Sequence, residues 1–197
     1  MNTNKIAREV KSILKETDVK LKQIKKVCEQ GCSYCCYQLI PIHDAEAYAI
    51  RKYIDSTLKE EYKNKIREGF VAWFSYMDTI YPSVSHISLV EYIKFVGRIR
   101  KDRIKCPFLI DDNCTIYPVR PIICRTYFVE SNPDECKNNT DRTGDSKGDK
   151  VCVDSGNKLT RLMGYKEIRP LTYALSECFK VQEHIKIGIE NIVHPYR

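Results

Sequence analysis

Several things are missing from this sequence of 197 residues, and each absence narrows what the chain can be. There is no long apolar run near its start: Met1 to Val27 is Lys-rich and its apolar residues never exceed two in a row. Neither the apolar centre of a signal peptide nor the roughly 20 apolar residues of a membrane span can be found there. That favours a cytoplasmic protein with no membrane partner. There is no Gly-rich phosphate loop of the P-loop or dinucleotide type, no H-E-x-x-H and no G-x-S-x-G, so the commonest nucleotide, zinc-protease and serine-hydrolase signatures are excluded. Although the net charge is +7, no basic run is longer than two residues, as at Lys25-Lys26, and each helical stretch mixes both signs. Such mixing describes a solvated face, and it does not favour a nucleic-acid partner. No linker separates two apolar blocks, which predicts one domain over residues 1–197.

What the chain does have is cysteine. Ten are present, four of them in Cys28-Glu-Gln-Gly-Cys32-Ser-Tyr-Cys35-Cys36, spaced C-x3-C-x2-C-C. Three more lie in a second segment, at Cys106, Cys114 and Cys124. In a reducing compartment clustered thiols read as metal ligands before disulfides. Zinc and iron–sulfur clusters both take thiolates, typically four to a centre. The seven candidates therefore fall one short of two such centres. Cys136, Cys152, Cys178 and His43 are the residues from which an eighth ligand could come. Side chains of adjacent residues tend to diverge, so Cys35 and Cys36 are expected to point apart, which makes the first segment half of a site that Cys106, Cys114 and Cys124 complete. Arg120 and Arg125 bracket Cys124 and are candidates to offset thiolate charge.

Periodicity predicts a mainly α fold: an irregular helical domain carrying two cysteine-rich loops and at most a small β-hairpin. Apolar positions Ile6, Val10, Ile13, Leu14, Val19, Leu21, Ile24 and Val27 trace a helix over 4–27. Asp44 is placed to cap a second helix, and helical character continues from Glu60 to Tyr81, where Pro82 stops it. Ser88 is placed to cap another. Leu109-Ile110 and Thr115-Ile116 flank an Asp-Asp-Asn turn and read as a hairpin. Residues 130–150 are polar and read as a mobile loop, followed by helices near 156–163 and 171–192.

The segments G-C-S-Y-C-C and C-P-F-L-I-D-D-N-C-T-I-Y-P-V-R-P-I-I-C-R make the chain resemble the YkgJ-type cysteine-cluster family, also described as a zinc- or iron-chelating CxxCxxCC domain. The resemblance spans Cys28 to about Tyr127, with C-x3-C where the family pattern has C-x2-C. It implies metal chelation by Cys28, Cys32, Cys35, Cys36, Cys106, Cys114 and Cys124, with no reaction assigned. A related cysteine pattern in flagellin lysine N-methylases supplies an enzyme alternative, with S-adenosylmethionine as methyl donor and a protein lysine as substrate. A zinc-stapled nucleic-acid-binding module is a third reading, and a protein partner is compatible with the first.

Overall fold

The computed structural model describes residues 2–28, 30–80, 89–132, 134–138, 144–165 and 168–181. The fold is mainly helical, as the periodicity predicts. Helix α1 (Thr3–Leu21) buries Ile6, Ala7, Val10, Leu14, Thr17 and Leu21, a stripe at three- and four-residue spacing that lies against α2 (Asp44–Thr57) and α7 (Ser146–Met163). At that contact the hydroxyls of Thr17 and Ser155 hydrogen-bond to each other at 2.9 Å, so neither buried polar group is left unpaired. The first helix stops at Leu21 and does not run on to Val27. Beyond it the backbone is used in a tertiary pairing instead, with Val27 N–H donating to the Val129 carbonyl at 3.1 Å.

Helix α3 (Glu60–Ile80) contributes Ile66, Phe70, Trp73, Phe74 and Met77 to the main core. There Phe70 packs on Phe108 edge-on at 5.6 Å and on Phe179 stacked at 4.9 Å, while Trp73 and Phe74 meet Tyr173 edge-to-face. Buried rings in mutual contact stabilise the fold, each by about 1.5–3 kcal/mol from burial. They are unavailable as a stacking surface for bases. Helix α4 (Leu89–Lys101) ends in Arg98, Arg100 and Lys101, where cations complement the helix dipole. Pro82 and Ser88, expected to end one helix and begin the next, lie outside the described residues.

Two short antiparallel ladders are present among the described residues. A hairpin forms where one was expected, but its second strand is not Thr115–Ile116: β2 (Leu109–Ile110) pairs with β3 (Asn113–Cys114), with Leu109 opposite Cys114, because the turn takes two residues and Asn113 enters the ladder. Its two loop residues, Asp111 and Asp112, have φ of 49° and 57°, the left-handed pair that a two-residue type I′ turn requires. The other ladder joins β1 (Pro41–His43) to β4 (Ile168–Pro170), a pairing between distant segments that no local pattern announced.

Several expected boundaries move. His43, and not Asp44, is the N-cap of α2; Glu46 reaches back to accept from His43 N–H at 2.8 Å, and Asp44 pairs with Arg169. The polar stretch 130–150 contains the short helix α6 (Asp134–Asn138), and its last five residues open α7, whose N-cap is Asp145. The final helix is shorter than its apolar stripe suggested: α8 (Leu171–Leu175) passes into a 3₁₀ turn over Ser176–Phe179, and Lys180 at φ 53° reverses the chain. Residues 182–192 of that expected helix lie outside the described residues.

Candidate metal centre

The first cysteine segment enters between two anchors. Val129 N–H donates to Cys28 Sγ at 3.4 Å, and the 3₁₀ turn Tyr34–Cys36 is closed by Cys36 N–H donating to the Ser33 carbonyl at 2.9 Å. Between them Gly31 has φ 98°, a left-handed backbone that side chains disfavour, although a Cβ there would meet nothing within 4 Å. Conformation, not space, requires the glycine, and the reversal turns Cys32 back toward Cys35 and Cys36.

The second segment is rigid for a different reason. Cys106 N–H donates to the Cys36 carbonyl at 2.9 Å, and Ser33 Oγ reaches Asp112 Oδ1 at 3.2 Å, so hairpin and first segment are tied at two points. Past Cys114, a 3₁₀ turn over Tyr117–Val119 and Pro121 lead into α5 (Ile122–Thr126), which carries Cys124. The start of α5 is held by Glu46, whose Oε1 accepts from Ile122 N–H at 2.7 Å. Burial pushes the Glu46 carboxyl up to about 7, against the two amide hydrogen bonds it accepts.

These elements put Cys28, Cys32, Cys35, Cys36, Cys106, Cys114 and Cys124 around one cavity of about 180 Å³. Cys136 of α6, which packs against the 3₁₀ turn at Tyr34–Cys36, lines it as well. Of the residues considered for an eighth position, only Cys136 is there. Cys152, on α7, is buried in a cluster with residues of α1, α2 and α5, Cys178 sits at the edge of the aromatic core, and the His43 imidazole lies against α7, where a Cβ on Gly156 would come 2.9 Å from its Nε2. Cys136 lies in a polar stretch without apolar periodicity, so its sequence neighbourhood gave no sign of its position.

Cys35 and Cys36 depart from the expected divergence. Each thiol acts on the other, which favours the Cys35 thiolate and disfavours ionisation of Cys36. In a 3₁₀ turn successive side chains are about 120° apart, and not opposed as in a strand, so both reach the same cavity. Burial pushes Cys106 up to about 12 and raises Cys114, Cys124 and Cys32. Protonated thiols pack as small hydrophobes, and metal binding has to displace their protons. Among the described residues no group of three or more Cys, His, Asp or Glu side chains is placed to hold a metal ion. The donor set fits a thiophilic metal in kind and number, and its convergence is at the level of a shared cavity.

The two arginines divide. Arg125 is buried and committed: Nη1 donates to both carboxylate oxygens of Asp18 at 2.7 and 2.6 Å, Nη2 to the Pro118 carbonyl at 2.6 Å and Nε to the Arg120 carbonyl at 2.9 Å. Arg120 lies over the Tyr117 ring at 3.6 Å, and its buried Nε and Nη1 have no hydrogen-bond partner among the described residues.

Thiols from loops, a 3₁₀ turn and two short helices gather around one cavity, the arrangement of a cysteine-cluster module. A family model described as "CxxCxxCC: Putative zinc- or iron-chelating domain" matches residues 27–153, well over half of the chain, and the protein belongs to that family. No curated protein and no solved structure matches it. Among the described residues no helix is long and apolar enough to cross a membrane.

Proposed function

We infer that the chain is a metal protein that chelates zinc or an iron–sulfur cluster through the thiolates of its two cysteine segments, in a structural or electron-carrying role. One observation carries the reading: cysteines separated in sequence by three helices, α2 to α4, line one cavity, joined by the Cys106 to Cys36 backbone hydrogen bond. Cys28, Cys32, Cys35, Cys36, Cys106, Cys114 and Cys124 are the ligand candidates, and Cys136 joins them. When bound, the metal supplies either a cross-link between the loops or a redox centre.

The residues around the thiols have separate parts in this reading. Arg120 is the counter-charge: it lines the cavity, its charge favours the thiolates of Cys35 and Cys114, and two of its buried N–H groups lack other acceptors. Tyr117 holds its guanidinium plane in place. Arg125 instead clamps α5 to α1 through Asp18. The one-domain reading is supported by α5, which carries Cys124 and packs against both α1 and α7.

Metal analysis with an absorption spectrum on anaerobically purified protein tests the reading. Stoichiometric zinc without colour selects the zinc form; bound iron with broad visible absorption selects the cluster. Protein that takes up neither metal under reducing conditions ends the proposal.

A further inference from the structure

Four charged residues line the thiol cavity: Lys26, Asp112, Arg120 and Arg125. Lys26 and Asp112 are exposed, and Asp112 accepts from Ser33 Oγ at the hairpin turn. Arg125 is spent on Asp18 and two carbonyls. Arg120 is held as firmly but is not spent. Its guanidinium lies over the Tyr117 ring at 3.6 Å, its amide N–H donates to the Tyr117 carbonyl at 3.4 Å, and its own carbonyl accepts from Arg125 Nε at 2.9 Å. Yet Nε and Nη1 are buried, and no oxygen, nitrogen or sulfur among the described residues accepts from them. Arg51 also has a buried Nε without a partner, but its Nη2 donates to the Ala174 carbonyl at 2.7 Å and stands 3.7 Å from Glu177, so its charge is met. A guanidinium keeps its charge throughout the range in which proteins fold, and burying its donors without acceptors is costly. Donors fixed in place and left unspent beside a cavity call for an anion.

We propose that Arg120 makes this cavity a binding site for a small organic carboxylate, with the charged head on the guanidinium and an apolar body in the space beyond it. The size of the cavity fits: about 180 Å³, against the roughly 150 Å³ of an apolar protein cavity that takes up benzene. Its walls fit as well, since besides the thiols they include Ile40, Phe108, Ile116, Phe128 and Leu171, all buried. Such walls disfavour an inorganic oxyanion, because the oxygens turned away from Arg120 would be buried against groups that cannot donate to them. The site goes beyond metal chelation and does not rest on it, since no thiol accepts from the two buried donors.

Titration of the reduced, metal-free full chain with benzoate, followed by calorimetry and by the Arg120 Nε–H resonance, tests this. Saturable binding that shifts that resonance is expected. Binding should weaken by about tenfold or more for benzamide, which keeps the shape without the charge, and by as much in Arg120→Met. No saturable binding, equal binding of benzamide, or equal binding by a folded Arg120→Met variant overturns the site. Phosphate or sulfate that displaces benzoate at equal concentration overturns the carboxylate assignment. Should Arg120→Met fail to fold, the unaltered chain decides, and an Arg120 Nε–H resonance that does not move as benzoate binds overturns the site. Zinc uptake, measured separately, keeps the two readings apart: a chain that takes zinc but no benzoate overturns this site and leaves chelation standing, and a chain that takes benzoate but neither zinc nor iron does the reverse.

Discussion

The amide N–H of Cys106 donates to the carbonyl of Cys36 at 2.9 Å, and this backbone bond, with that of Ser33 Oγ to Asp112, ties the second cysteine segment to the first. Because the Cys106 bond involves no side chain, cysteine replacements at either position leave the bond itself available.

Metal uptake is expected to depend steeply on pH. Burial holds Cys106 near 12 and raises Cys114 and Cys124, so each of these thiols carries a proton at neutral pH that ligation must release. Apparent zinc affinity should therefore rise with pH, by up to about one log unit per pH unit for each ligating thiol. Competition against a chelator between about pH 6.5 and 7.5 measures it; an affinity independent of pH would contradict thiolate ligation of buried groups.

Arg125→Ala is expected to destabilise the fold by about 2–4 kcal/mol, since it removes a buried guanidinium from a carboxylate and two carbonyls at once. Asp18 is half-exposed and can be rehydrated, so Asp18→Asn should cost less. Urea denaturation of both variants checks the order, which would reverse if Asp18 were the residue that the packing depends on.

Two glycines make a matched pair. A Cβ on Gly148, in α7, would stand 2.0 Å from the Thr126 carbonyl oxygen of α5, whereas one on Gly97, in α4, would meet nothing within 4 Å. Gly148→Ala should lose about 1–3 kcal/mol or more as the helices are forced apart. Gly97→Ala should gain about 0.5–1 kcal/mol by removing backbone freedom from a helix interior. Thermal melts that rank them the other way would mean that α5 and α7 are not packed as described.

Glu46 should make stability depend on pH in an unusual direction. Its carboxyl, raised by burial from 4.5 to about 7, binds a proton in the folded chain over a range where the unfolded chain has lost it. Its contribution to stability is therefore greatest below pH 4.5, declines as pH rises toward 7 and is level above that. Arg125, Cys124 and Cys152 are the charged or titratable groups that act on it or that it acts on. Over about pH 5 to 7.5 the stability difference between the parent chain and Glu46→Gln should shift in favour of the variant, by on the order of 2–3 kcal/mol. A difference that stays constant with pH would show that Glu46 does not titrate in the folded chain.

Local sequence determined the helices and the donor chemistry. Apolar spacing specified α1, α2 and α3, because a 3.6-residue repeat presents one face whatever it packs against, and the Asp111-Asp112 pair marked the hairpin turn through backbone preferences of those residues alone. The count and spacing of Cys28 to Cys36, with Cys106, Cys114 and Cys124, specified a thiolate site. Tertiary structure decided what depends on residues remote in the chain: that Cys136 joins the cavity while Cys152, Cys178 and His43 do not, that β1 pairs with β4, and that Arg120 faces the thiols while Arg125 is taken by Asp18. It also decided that Cys35 and Cys36 lie side by side, since a 3₁₀ turn and an extended strand place neighbouring side chains differently and the six residues around them are compatible with both. Propensity and periodicity act within a few residues, and a cavity lined by thiols from three separate segments depends on contacts that neither encodes.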